Sequence, residues 1–257
     1  MGKAAPDLAG HIEMCWSTVS AGSENAFYEI LPDGYIDLII RFSATRCQAF
    51  LFGPATEKAS IEIDEGYDYF CARFRPGQAL LLDDVHPATL VDSYVELPRI
   101  LGTGVGSLGD RLYSSPTHLS RQRLVESLLR HARPLVRDER CRWGAALVDE
   151  CGGQLPVADV ASRLGMNRRS LERLFLNQMG MTPKRLSRII RLQHLLMRLR
   201  FGNYHNLTDL AYVCGYTDQS HMIRDLRDLT GCLPGEVSKC RIRRFAEQPQ
   251  CKIVHNL

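Results

Sequence analysis

Hydrophobic positions in the first part of the chain recur every second residue. In AFYEILPDGYIDLIIRF (26–42), Ile36, Leu38, Ile40 and Phe42 share one face of an extended strand, and Tyr35, Asp37, Ile39 and Arg41 share the other. Two β-rich runs flank Pro32-Asp33-Gly34, where proline presets one turn angle and glycine accepts a positive φ, so the spacing predicts a hairpin there. Further runs at 47–53, 60–63 and 69–74, each ended by glycine, proline or acidic residues, extend the sheet. The period then changes. Leu124, Leu128 and Leu129 are helically spaced between Leu119 and His131, as are Leu186, Ile189, Ile190, Leu195, Leu196 and Leu199 within 183–199, and Met222, Leu226 and Leu229 near the end. Pro98 to Gly109, including GTGVGS, reads as a connection, because it lacks the G-x-G-x-x-G spacing and no strongly apolar strand leads into it. The charged stretch RPLVRDERCR (133–142) reads as a linker.

The pattern predicts an α+β chain of two domains with separate cores. A β-rich, barrel-like sensor or effector domain over 1–112 is followed by a helical linker over 113–137 that offers a dimerisation element. An all-α domain over 138–245 and a tail over 246–257 complete the chain.

Within the all-α part the text repeats. In PVADVASRLGMNRRSLERLF (156–175) and LTDLAYVCGYTDQSHMIRDL (207–226), Asp159-Val160-Ala161 matches Asp209-Leu210-Ala211 and Gly165 matches Gly215, at an offset of fifty. After one extra residue in the second turn, Leu171, Arg173 and Phe175 match Met222, Arg224 and Leu226, and Gly180-x-x-Pro183 matches Gly231-x-x-Pro234, at fifty-one. Each copy describes a helix-turn-helix: a small alanine where the second helix crosses closely, a glycine for the turn, Asn167 or Thr217 to cap the next helix, and an outer face that stays polar. The helix opening at Pro183 joins the two copies.

Composition sharpens this picture in one respect. The net charge of +3 over 257 residues hides a division: residues 155–245 hold 16 Lys and Arg against 7 Asp and Glu, a balance of +9, which leaves −6 for the rest. A concentrated positive balance is the footprint of a polyanion binder. The fraction of hydrophobic residues, 45%, is that of an ordinary soluble protein. The N-terminal stretch carries Asp7, His11 and Glu13 where a signal peptide needs an apolar core, and no run of about twenty apolar residues occurs, so the expected location is the cytoplasm with no membrane partner. Nine scattered cysteines form no C-x-x-C pair and the eight histidines are dispersed, so no metal site and no cofactor are expected, and the thiols read as buried or idle, with a redox-sensing cysteine as the alternative.

GMNRRSLERLF, the G-M-T-P-K opening of the central helix, and GYTDQSHMIRDLRDLTGCLPGEV together resemble the DNA-binding domain of AraC-family bacterial transcription regulators, from roughly 140 to 245. PDGYIDLI (32–39) and RFRPG (73–77) resemble the sensor-like domain of one large subgroup of that family. The resemblance implies a transcription regulator rather than an enzyme, with double-stranded DNA, RNA polymerase, a small-molecule effector and a second copy of the chain as partners. Met222 and Leu226 depart from it, standing where the family commonly has phenylalanine. DNA alkyl-transfer repair proteins, which can carry such a segment, need a zinc-bound cysteine cluster that this sequence lacks. An adaptor with no effector remains a third class.

If the second helix of each copy enters a major groove, its polar face is the reading surface. That selects Arg168, Arg169, Glu172 and Arg173 in the first copy and Gln219, Ser220, Ile223 and Arg224 in the second. Arginine suits guanine, glutamine adenine, glutamate the cytosine amine, and isoleucine a thymine methyl. Thr182, Lys184 and Arg227 are the expected phosphate contacts. Arg188, Arg191 and Arg198 are open to local pairing with acidic side chains. In the first domain Asp37, Arg73 and Arg75 fit three readings: a polar ligand site inside a barrel, surface charges, or an internal ion pair that fixes the fold.

Overall fold

The computed structural model describes residues 2–18, 26–63, 66–81, 86–97, 105–131, 133–134, 138–202 and 204–237. The first unit is built on a five-stranded antiparallel sheet of order β1-β6-β3-β4-β8, made of β1 (Ile12–Thr18), β3 (Ile36–Phe42), β4 (Cys47–Phe52), β6 (Asp68–Phe74) and β8 (Tyr94–Glu96). The expected alternation holds along β3. Leu38, Ile40 and Phe42 enter one core with Phe70 and Phe74, while Ile39 joins Trp16, Tyr69 and Cys71 on the opposite face.

The predicted hairpin does not form. The strand before Pro32, β2 (Ala26–Ile30), pairs antiparallel with β5 (Ala59–Ile63) in a separate two-stranded sheet, and β3 pairs with β4 and β6 instead. Gly34 does take a positive φ of 71°, as the turn chemistry requires, but the turn links two sheets rather than adjacent strands. The turn packs instead on the helical part of the chain, Gly34 against Leu186, Ile189 and Ile190 and Leu31 among Leu192, Leu195 and Leu196.

Two helices cover the core face of the large sheet. α1 (Val105–Tyr113) begins inside the glycine-rich text read as a connection, whose residues 98–104 lie outside the described ones. α2 (His118–Leu129) is capped by Thr117 and buries Val125 and Leu129 with Leu112 in the sheet core. The residues expected to form a linker therefore supply a layer of the first unit. Arg121 of α2 pairs with Asp68 at 2.8 Å, and Glu126 Oε1 accepts the Ala5 amide at 2.9 Å, so charged groups on this buried face are matched. A short bridge between β7 (Leu80–Leu81) and β9 (Arg133–Pro134) precedes the second unit.

The second unit is all helical: α3 (Glu139–Glu150), α4 (Val157–Arg163), α5 (Arg168–Met179), α6 (Pro183–Phe201), α7 (Leu207–Val213) and α8 (Gln219–Thr230). It holds two cores. Val160, Ala161, Leu171, Phe175, Leu186 and Ile190 share one with α3, and Leu192, Leu195, Leu199, Leu210, Met222 and Leu226 share the other. α6 opens with Thr182 as its cap and Pro183 in its first turn, then runs between the two cores, as its apolar spacing predicts. Among the described residues no helix is long and apolar enough to cross a membrane.

Candidate nucleic-acid interface

α4–α5 and α7–α8 are built to one plan. Gly165 and Gly215 occupy the turns at φ of 64° and 77°, and α5 and α8 each end on a left-handed glycine, Gly180 and Gly231. Asn167 caps α5 by accepting the Ser170 amide at 2.9 Å. In the second copy Asp218, not Thr217, is the cap, accepting the His221 amide at 2.7 Å, because the extra residue in that turn moves the helix start by one. That backbone bond to His221 holds the Asp218 carboxyl below the ordinary carboxylate range. Thr217 bonds the His221 ring at 3.0 Å instead.

The polar faces of α5 and α8 are largely exposed. On α5, Arg168, Arg169 and Arg173 are exposed, and Arg168 Nε donates to Glu172 Oε1 at 2.8 Å, one turn away. On α8, Ser220 and Arg224 are exposed, and Ile223 is half-buried against the second core. Thr208 of α7 donates its hydroxyl to Gln219 Oε1 at 3.0 Å, which ties the Gln219 side chain to α7 at the start of α8. Single-sequence reasoning could not find Thr208, because the first copy has Ala158 at the equivalent place. Lys184 and Arg227 are exposed near the helix ends. Thr182 is engaged as a cap, accepting the Arg185 amide at 3.1 Å.

Behind α8 lies a polar network. Arg188 of α6 donates to Asp225 and reaches Asp228 at 3.4 Å, the Tyr216 hydroxyl meets the other Asp225 oxygen at 3.2 Å, and Arg191 lies 5.2 Å over the Tyr216 ring. Burial first, and the Asp225 carboxylate second, push the Tyr216 phenol far up.

Residues 160–239 match the family model described as a helix-turn-helix domain. The C-terminal domain is an AraC-type helix-turn-helix domain. Over 99 residues the chain is 31% identical to the HTH-type transcriptional activator RhaR of Yersinia pseudotuberculosis, covering 38% of this chain and 34% of that protein. Over 63 residues it is 35% identical to the activator RhaS of Yersinia pestis, covering 24% of this chain and 23% of that one. The chain thus spans about a third or less of the length of these curated relatives. A solved AraC-type regulator from Chromobacterium violaceum is 23% identical, covering 40% of this chain and 92% of that chain, with a TM-score of 0.37. Residues 3–96, upstream of the AraC-type domain, match a domain of unknown function, DUF6597.

In that upstream domain Arg73 and Asp37 come together. The buried Arg73 guanidinium donates from Nε and Nη2 to Asp37 at 2.8 and 2.6 Å, donates from Nη2 to Asp33 at 2.7 Å, and lies against the rings of Tyr35 and Trp16. Burial works against its charge, yet Asp37 and Asp33 hold its pKa well above the ordinary arginine value. Arg75 is exposed and donates to the Ala9 carbonyl at 3.2 Å, apart from this cluster. Among the described residues no group of three or more metal-ligating side chains occurs.

Proposed function

We propose that this chain is a sequence-specific DNA-binding transcription regulator that reads two successive major grooves with α5 and α8. The observation that carries the reading is the duplicated construction: two reading helices, capped and terminated alike, flank one 19-residue helix and expose arginines at equivalent places, Arg173 and Arg224. Nineteen residues at 1.5 Å each make about 28 Å, close to the roughly 34 Å between successive major grooves on one face of DNA. Arg168, Arg169, Glu172 and Arg173 then face one groove, and Gln219, Ser220, Ile223 and Arg224 the next. Lys184, Arg227 and the capped N-terminus of α6 at Thr182 contact phosphates.

The +9 balance of residues 155–245 supports polyanion binding. The first domain carries the sensor or effector role for a small molecule and contributes to a homodimer, with RNA polymerase as the downstream partner and the cytoplasm as the setting. RhaR and RhaS, both named as transcriptional activators, favour activation. Fluorescence anisotropy of the full chain on duplex DNA at several salt concentrations tests the proposal. Binding should weaken steeply with salt as counterions are released; a flat response contradicts groove binding.

A further inference from the structure

The two reading heads keep separate cores, yet one short segment of the first domain touches both. Leu31, next after β2, is buried in the second core with Leu192, Leu195 and Leu196. Three residues on, Gly34 lies over Leu186, Ile189 and Ile190, and a Cβ there would stand 3.2 Å from Leu186 Cδ1 and 3.4 Å from Ile189 Cγ2. Leu186 and Ile190 belong to the first core. Between these anchors the Pro32 carbonyl accepts a hydrogen bond from Gln193 of α6. The segment is in turn fixed to its own domain, since Asp33 accepts from Arg73 at 2.7 Å and its amide donates to Ala55 O at 3.2 Å.

A second strut runs nearby. Arg185 Nη2 donates to the Thr56 carbonyl at 2.7 Å, and Thr56 is held by Asp92 through two bonds of 2.6 Å. Asp92 adopts φ of 52°, the one positive φ at a non-glycine position among the described residues.

We propose that Leu31–Gly34, braced by Arg73, is a positioning element that fixes the placement of the second reading head relative to the first. The proposal rests on the two-headed reading above. α6 alone is one rod, and torsion about a single rod is resisted weakly. The heads also touch through Gln154 Nε2, which donates to Val213 O at 3.1 Å, and Arg191, which donates to Gly153 O at 3.1 Å. Those contacts gather on the side of α6 that carries Ser187, Arg191 and His194, where Gly152 and Gly153 approach. At about 100° per residue this lies roughly a third of a turn from the side carrying Leu186, Ile189, Ile190 and Gln193. Braces on two sides of a rod block the twist that one side alone permits. The first domain therefore contributes to DNA recognition without touching DNA.

The test uses the full chain and the duplex that wild type selects, together with duplexes carrying one or two extra base pairs between the half-sites. Wild type should lose about tenfold or more in affinity on insertion, the scale of a mismatched contact. Leu31→Ala and Arg185→Ala should each lose less than about threefold, while base changes within either half-site still weaken them as they weaken wild type. Leu31→Met, which keeps the anchor filled, should behave as wild type. Circular dichroism confirms that each variant is folded, and if Leu31→Ala does not fold, Arg185→Ala and Gln193→Ala decide the matter. Folded variants that discriminate spacing as sharply as wild type overturn the proposal. If wild type selects only a single half-site, the two-headed reading fails, and the positioning role falls with it.

Discussion

Asp225 of α8 and Arg188 of α6 form an ion pair behind α8, where the first copy has an apolar contact. Asp225 corresponds to Leu174 and its partner Tyr216 to Met166, both packed against the first core. The two copies thus share a plan and differ in what holds α5 and α8 down. Asp225→Ala should destabilise the protein by about 3 kcal/mol, since it removes the buried partner of Arg188 and Tyr216. The double change Asp225→Leu with Tyr216→Met should recover much of that loss, as measured by urea unfolding. Recovery of nothing would mean that the site needs its polar pair.

The ion cluster of the first domain makes a second prediction. Arg73→Met leaves Asp33 and Asp37 without their partner and should lower stability by about 3–5 kcal/mol. Arg75→Ala, at an exposed site, should change it by no more than about 0.5 kcal/mol. Denaturant titration of both variants checks the contrast, and equal effects would contradict it.

The duplication, the turn glycines, the Asn167 cap and the apolar stripe of α6 were legible in the sequence because each depends on local chemistry at fixed spacing. The cap of α8 is Asp218 rather than the expected Thr217, because threonine and aspartate in sequence are both good caps and only the backbone decides between them. The expected β2–β3 hairpin does not form for a different reason. Pro32-Asp33-Gly34 has the composition of a hairpin turn, but its partner is α6, about 150 residues away, and no local signal encodes that contact. α1 was hidden by glycines at 106 and 109. Of the three readings offered for Asp37 and Arg73, the geometry brings the two side chains into direct contact and leaves Arg75 outside.

A third prediction concerns pH. Asp149 on α3 is pushed up to about 6, first by burial and then by Glu13 of β1, with Arg75 opposing and Glu150 adding a little. The folded state therefore holds the proton more tightly than the unfolded chain, whose value is near 3.8. Charged Asp149 costs stability above pH 6, and the cost is relieved as pH falls through 6 and is gone below about 4. Asp149→Asn should stabilise the protein at pH 7.5 by up to about 2 kcal/mol, with the gain vanishing near pH 4. Melting curves across that range check it, and a gain that persists at pH 4 would contradict it.

Three buried or half-buried thiols yield a fourth. Burial pushes Cys15 and Cys141 up to about 12 and Cys47 up to about 11, so little thiolate exists at neutral pH. Iodoacetamide at pH 8 should label these three in the folded protein far more slowly than after denaturation, as read by peptide mass spectrometry. Rapid labelling of any of them in the native state would reopen a redox role.

The most direct measurement is binding-site selection from random duplex DNA with wild type, Arg173→Ala, Arg224→Ala and Lys184→Ala. The account predicts a wild-type motif of two half-sites about one helical turn apart. Arg173→Ala and Arg224→Ala should each weaken specific binding by about 1–3 kcal/mol and relax the motif at different positions, while Lys184→Ala weakens all sequences alike and makes the salt dependence shallower. An unchanged motif for Arg224→Ala beside an altered one for Arg173→Ala would show that α8 does not read bases, and the two-groove account would be wrong.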